Sequence, residues 1–257
     1  MHPRKIALAC LALSVPLAVA GCSSSGSGSK GATSSPGTAS SSAAGSPSAS
    51  SPSTAASSSA AQLTGSKLAA LLLPTSALPA GFAPSSGAAV DSGASLTTAA
   101  AKFSIGSLSC NDIVNDFGQA GFGESAMAFN VLANSANGEI FEEAVYQFAT
   151  PTGASAFYDG LKDKWPSCGT FAANDGSGDT GNLTVAGASA PSGLGQEDFG
   201  FTMKGTSSGT NLDEGNTVVL DGSDVYAVST GEQGTTLPTD LDQASLTQKL
   251  ISSITGG

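Results

Sequence analysis

The stretch TPTGASAFYDGLKDKWPSC, residues 150–168, decides the fold class. Thr150 offers an N-cap, and Pro151 suits the first helical position. Ala154, Phe157, Tyr158, Leu161 and Trp165 then recur at helical spacing as one apolar stripe. Pro166 is expected to end the helix. Strand-like runs flank it on both sides. Upstream, residues 125–133 place Met127, Phe129 and Val131 on one face, and 139–149 make an antiparallel partner. Downstream, strands are expected at 168–173, 182–189, 197–204, 216–220 and 224–229, the last two joined by the hairpin turn Asp221-Gly222-Ser223-Asp224. Thr64 caps a first helix reaching Leu72, stopped by Pro74. Ser109-Cys110-Asn111-Asp112 opens a second helix carrying Ile113, Val114 and Phe117. Asp242 caps a last one with Leu246, Leu250 and Ile254 inward. Runs of strands, rather than strict βαβ alternation, predict an α+β domain over 62–257: a mostly antiparallel sheet packed with about four short helices.

Ahead of that domain the composition changes twice. Arg4 and Lys5 precede an apolar run from Ile6 to Val19, and Val19-Ala20-Gly21-Cys22 follows. Charged, apolar and small-residue regions in that order form a secretory signal peptide over 1–21. A cysteine directly after Ala-Gly matches a bacterial lipobox, so Cys22 is the expected lipidation site. The apolar run is too short for the ~20 residues that cross a bilayer. Two acyl chains make a stable membrane anchor where one does not. Residues 23–61 are nearly all Ser, Gly, Ala, Thr and Pro, with Lys30 as the one charge. Such a segment lacks the apolar area to offset its ordering entropy and reads, with Cys22, as a disordered tether over 22–61. The protein is therefore expected on the outer face of the cell membrane.

Processing would also remove His2 and Arg4, the sole histidine and the sole arginine. Histidine is the usual general base near neutral pH. Without it there is no Ser-His-Asp triad, no Cys-His pair and no His-Glu-x-x-His zinc site. Without arginine there is no bidentate clamp for phosphate or carboxylate. The processed chain keeps seven lysines against twenty Asp and Glu, a net charge of −13. That surface repels nucleic acid and anionic headgroups, so membrane contact is left to the lipid.

Cys10 lies in the leader and Cys22 is taken by lipid, which leaves Cys110 and Cys168. One pair in an exported protein is expected as a disulfide; two free thiols are the alternative. Gly176-Ser177-Gly178-Asp179-Thr180-Gly181 spells a dinucleotide fingerprint, but a strand follows it where a helix is needed. Asp175, Ser177 and Asp179 imitate a calcium loop whose sixth and twelfth positions, Thr180 and Ala186, are wrong. No metal or cofactor is expected. The acid pairs Glu142-Glu143, Glu197-Asp198 and Asp213-Glu214 allow acid-pair hydrolysis on paper, yet neighbours on a strand point to opposite faces. Trp165, at the end of the apolar stripe and beside Cys168, is expected to pack on the disulfide; the alternative is that Trp165 and Tyr158 line a ligand groove.

Leu71-Leu72-Leu73-Pro74, Leu78-Pro79-Ala80-Gly81-Phe82, Cys110 and the run Ala154 to Cys168 carry a likeness. Together they resemble the PknH-like extracellular sensor domain of actinobacterial lipoproteins and some receptor kinases, over roughly residues 64–254. The resemblance implies an antiparallel sheet packed with helices, a cleft and an unidentified ligand. Kinase-attached members usually carry two disulfides, and this chain can form one.

The expectation is therefore a lipid-anchored envelope protein with a non-enzymatic domain that binds a ligand or partner. A carrier of apolar molecules is the second reading, and an acid-pair or Ser-Lys hydrolase the third.

Overall fold

The computed structural model describes residues 62–91, 104–116, 121–174, 180–207, 210–233 and 241–256. Among them are eight strands in one antiparallel sheet and four α-helices, an α+β fold. The strands are β1 (Phe82–Asp91), β2 (Ala126–Asn134), β3 (Glu139–Gln147), β4 (Thr170–Asn174), β5 (Thr180–Ala188), β6 (Glu197–Ser207), β7 (Thr210–Asp221) and β8 (Asp224–Gln233). Their order across the sheet is β1-β2-β3-β8-β7-β6-β5-β4. The central pair β3–β8 is non-local, while the flanking hairpins are sequential.

The helices are α1 (Gly65–Leu71), α2 (Cys110–Asp116), α3 (Pro151–Cys168) and α4 (Gln243–Thr255). Three start on the caps that the sequence announces. The side chains of Thr64, Thr150 and Asp242 accept from the amides of Lys67, Gly153 and Ser245. At α2, Ser109 Oγ accepts from the Asp112 amide at 3.1 Å, and Asp112 Oδ2 accepts from the Ser109 amide at 3.1 Å, a reciprocal cap. Pro166 does not stop α3, which runs on to Cys168. Two residues from the end, the missing N–H costs one hydrogen bond in a turn whose last carbonyls are open anyway.

The helices cover opposite faces. Tyr146, Val218, Leu220, Val225, Ala227 and Phe201 pack under α3 on one face. Phe141, Val145, Val219, Tyr226 and Val228 pack under α1 and α4 on the other. Both faces of the central strands are buried, so polar side chains on them, Glu139, Glu143 and Gln147 of β3 and Asp224, Ser229 and Thr230 of β8, are buried as well. The expected disulfide is present: Cys110 and Cys168, with Cα atoms 5.7 Å apart, join the start of α2 to the end of α3.

Two boundaries move from expectation. β7 begins at Thr210, not residue 216, because Asn211, Asp213 and Gly215 keep pairing with β6 despite their low strand preference. β1 was not expected at all. It is an edge strand bonded to β2 alone, with Pro84 beside a break in register before Ala89. Edge strands tolerate proline and small residues, which hides them from a pattern search. The loop 175–179, with most of the glycine motif, lies outside the described residues.

Candidate functional site

Strand register brings together side chains far apart in sequence. Across the sheet, Val131 of β2 stands opposite Glu142 of β3, Glu142 opposite Ser229 of β8, and Ser229 opposite Asn216 of β7. Residues directly opposite share a face, so Glu142, Ser229 and Asn216 form a polar row on the α3 face. One step along, Ile140, Gly231 and Glu214 form the next row.

Gly231 matters here. A Cβ at that position would lie 2.6 Å from Glu214 Cγ. The Glu214 side chain therefore leans across β8 toward the strand that carries Glu142. The two carboxyls sense each other: burial, then the negative charge of Glu142 and of Asp213, holds Glu214 well above the usual carboxylate range. Burial pushes Glu142 up to about 7. Among the described residues no lysine is paired with either of them. The ion pairs among the described residues are Lys162–Glu197 at 3.0 Å and Lys204–Asp213 at 2.8 Å.

Two members of the row are buried, and Glu142 and Asn216 are half-buried. Glu214 and Ser229 are each 6 % exposed. Asn216 Nδ2 is buried and unpartnered. Folded proteins satisfy nearly all such groups. Phe129, Val131 and Ile140 flank the row with apolar surface. A cavity of about 10 Å³ sits beside it, lined by Phe129, Glu142, Glu143, Ala144, Ala227 and Ser229. That is room for one water or one ion, not for a lipid tail or a sugar.

Glu143, the sequence neighbour of Glu142, does something else. On the opposite face its Oε1 accepts from the Leu73 amide at 2.9 Å and from Asn130 Nδ2 at 3.4 Å. Gln147 Oε1 accepts from the Leu63 amide, and Gln62 Nε2 donates to the Phe148 carbonyl. Side chains of β3, and the backbone just after it, thus clasp the segment where the expected tether enters the domain. Burial raises Glu143 to about 8, against the lowering effect of its bonds to Asn130 and Leu73. A second hollow, a groove of about 330 Å³, lies on the surface between the turn Thr75–Ala77 and the start of α4. Leu78, Pro79, Leu241 and Leu246 line it, with Asp242 and Lys249.

Tyr158 and Trp165 are core residues in this structure, not walls of an open groove. Tyr158 is fully buried and Trp165 is 2 % exposed. Their rings meet Phe199 and Phe201 on β6, at 5.3 Å and 4.7 Å between centroids. Trp165 therefore packs on the sheet, in the same cluster that Cys168 borders. The Tyr158 hydroxyl has no hydrogen-bond partner. Burial, with the charges of Glu197, Asp198 and Asp159, moves that hydroxyl's pKa far upward, so it stays neutral. Tyr158→Phe removes an unsatisfied polar atom and is expected to leave thermal stability unchanged or raise it by up to about 1 kcal/mol. A loss of more than that in a melting experiment would mean that the hydroxyl is bonded.

Sequence reasoning named Glu142 and Glu214 only as members of adjacent acid pairs. It did not join them, and it missed Ser229 and Asn216. The signal is non-local: only the pairing of β3 with β8 and of β8 with β7 sets them side by side. No group of three or more His, Cys, Asp or Glu among the described residues is spaced to hold a metal. The row does offer four oxygen-bearing side chains. Cys22 and the calcium-like loop lie outside the described residues.

Comparison with known proteins follows the fold. The extracellular domain of PknH from Mycobacterium tuberculosis has a crystal structure that superposes with a TM-score of 0.52 at 19 % identity, covering 76 % of this chain and 98 % of that one. An uncharacterized protein from Mycobacterium smegmatis reaches a TM-score of 0.38 at 11 % identity, covering 74 % of this chain and 96 % of that one. No curated protein matches the sequence. The sequence profile of the PknH-like extracellular domain matches residues 63–206, more than half of the chain, and with it the chain belongs to the PknH-like extracellular domain family.

Proposed function

We propose that this is a lipid-anchored envelope protein whose sensor-like, non-enzymatic domain binds a ligand or partner outside the membrane. One observation carries the reading. Glu142, Glu214, Ser229 and Asn216 are gathered on one face, Glu214 and Ser229 are buried there, and the buried Asn216 Nδ2 bonds to nothing. Folding alone penalises that arrangement, at about 1–3 kcal/mol for each unsatisfied group. A site kept against such a penalty is kept for an interaction.

The family membership supports an extracellular setting, and no described helix is long and apolar enough to cross a membrane. The sequence supplies the anchor: the lipobox ending at Cys22 and the tether after it. A non-enzymatic role is favoured by chemistry. The processed chain lacks histidine and arginine. The Glu142–Glu214 pair has a water-sized void beside it, where a glycosidic bond has no room to lie between the carboxyls. The same void argues against an apolar carrier at this place.

The test uses the full chain purified from membranes in detergent micelles. A fractionated envelope extract is expected to raise its melting temperature, and Glu214→Gln to abolish the rise. No shift with any fraction would overturn the binding reading. The anchor is read separately by intact mass: cleavage before Cys22 with attached acyl chains is expected, and Cys22→Ser should release the protein from membranes. An uncut or unacylated chain would overturn that part.

A further inference from the structure

The outer edge of the sheet is part-covered by a helix. β4 is the last strand, bonded to β5 alone. Its pairing tells which backbone groups face outward. The Val185 amide donates to the Gly169 carbonyl at 2.8 Å, so Gly169 and Val185 form a hydrogen-bonded pair. Alternation then turns Phe171 and Ala173 toward β5, and Thr170, Ala172 and Asn174 away from it. The side chains agree. Thr170 Oγ1 and Thr184 Oγ1 lie 2.9 Å apart, the close approach of a pair without ladder bonds. An outward row of N–H and C=O groups is a template on which another chain can pair.

α2 stands in for the missing strand at one end of that row. Asn111 Oδ1 accepts from the Asn174 amide at 2.8 Å, and Asn115 Nδ2 donates to the Asn174 carbonyl at 2.9 Å. The two asparagines are four residues apart and share one side of the helix. Together they bond both outward groups of Asn174, as a paired strand does. A helix of seven residues does not hold such a position by its own stability. Cys110, next to Asn111, is bonded to Cys168, two residues before β4 begins. The disulfide thus moors α2 to the edge that it covers.

We propose that α2 is a redox-controlled guard of the β4 edge, and that reduction of Cys110–Cys168 opens this edge to β4 of a second copy. The edge fits its own copy. An antiparallel pair with its two-fold axis at Ala172 sets Ala172 opposite Ala172, and Thr170 opposite Asn174 at both ends. Every outward N–H and C=O of the three residues then has a partner. Asn174 is needed at both ends of that ladder, and Asn174 is the residue that α2 occupies. Residues 170–174 carry no charge, whereas the processed chain as a whole is acidic and repels its like elsewhere. The reductant is an external dithiol: it gives two electrons and two protons, Cys110 and Cys168 become thiols, and the dithiol closes to its own disulfide. The inference is independent of the polar row.

The experiment is sedimentation of the full chain, purified from membranes in density-matched detergent, with and without dithiothreitol and over a range of protein concentrations. The oxidised chain is expected as a monomer, and the reduced chain as a dimer whose share grows with concentration. In the reduced chain the Thr170 and Ala172 amides should exchange hydrogen more slowly at high concentration than at low. Cys110→Ser with Cys168→Ser should dimerise without reductant. Ala172→Pro removes an outward N–H and no bond to β5, so it is tolerated at an edge and should keep the reduced chain monomeric. Circular dichroism checks each variant. Should reduction unfold the domain, Asn111→Ala with Asn115→Ala keeps the disulfide and is expected to raise the dimer share above that of the oxidised wild type. A folded reduced chain that stays monomeric overturns the proposal. So does a dimer that survives Ala172→Pro, or one equally strong in the oxidised chain. If reduction unfolds the domain and the folded asparagine variant stays monomeric, the guard is overturned too.

Discussion

The protein is expected to melt at a higher temperature at pH 5 than at pH 8 when divalent cations are absent. Most proteins lose stability toward acid because their paired carboxylates must be protonated. Here the buried acids run the other way. Burial lifts Glu142 to about 7, Glu143 to about 8 and Asp224 to about 6, and Glu214 well above its ordinary value. A folded-state pKa above the unfolded one means that the folded chain holds the proton more tightly. Stability is then fully present below the unfolded value and falls as pH rises through the folded one. The window is pH 4.5 to about 8 for Glu143, the group least coupled to other acids. Between pH 5 and pH 8 that residue alone should account for on the order of 3–4 kcal/mol, or about 10 °C in a domain of this size. Glu143→Gln keeps an acceptor for the Leu73 amide and cannot ionise. It should match the wild type at pH 5 and exceed it at pH 8. Melting curves across this range check both statements. A flat profile, or a lower melting temperature at pH 5, would mean that these carboxyls are solvated in the folded protein.

The second large effect concerns the bridge. Reducing Cys110–Cys168, or replacing both with serine, is expected to cost about 4 kcal/mol, since the bond closes a loop of 58 residues in the unfolded chain. The drop in melting temperature should be about 10 °C. It should fall first on α2. That helix has seven residues, and besides the packing of Ile113 it is tied to the sheet by side-chain bonds between Asn111 and Asn115 and the backbone of Asn174. Hydrogen exchange in reductant should therefore speed up at 110–116 before the sheet opens. Unchanged melting under reductant would show that packing of Ile113 and of Trp165 holds the corner without the covalent link.

The sequence was informative where local chemistry decides the outcome. Thr64, Thr150 and Asp242 cap the helices that they announce, because a cap is a contact between a residue and the amide three positions on. The α3 stripe from Ala154 to Trp165 is buried as its spacing requires. The Cys110–Cys168 bridge followed from counting. What escaped was non-local or weakly patterned. β1 is built from Pro, Ser, Gly and Ala, with no alternation to betray it, and the edge position tolerates them. The polar row escaped for a different reason. Glu142 and Glu143 look like a pair in sequence, yet the pleat sends one to the α3 face and the other to the Leu73 amide. The true neighbour of Glu142 is Glu214, on a strand two places away in the sheet. Nothing in the spacing of one chain segment encodes that meeting. It exists because β8, between them, carries Ser229 and Gly231 at the crossing. The aromatic pair Tyr158 and Trp165 drew attention by residue type, but stripe position was the better guide, and both are core.

The account turns on the polar row being a place where something binds. Hydrogen exchange with and without the stabilising envelope fraction locates the contact directly. Added protection is expected at residues 139–147, 210–221 and 224–233, which form the strands under the row. Protection confined to 75–79 and 241–249, around the surface groove, would contradict it.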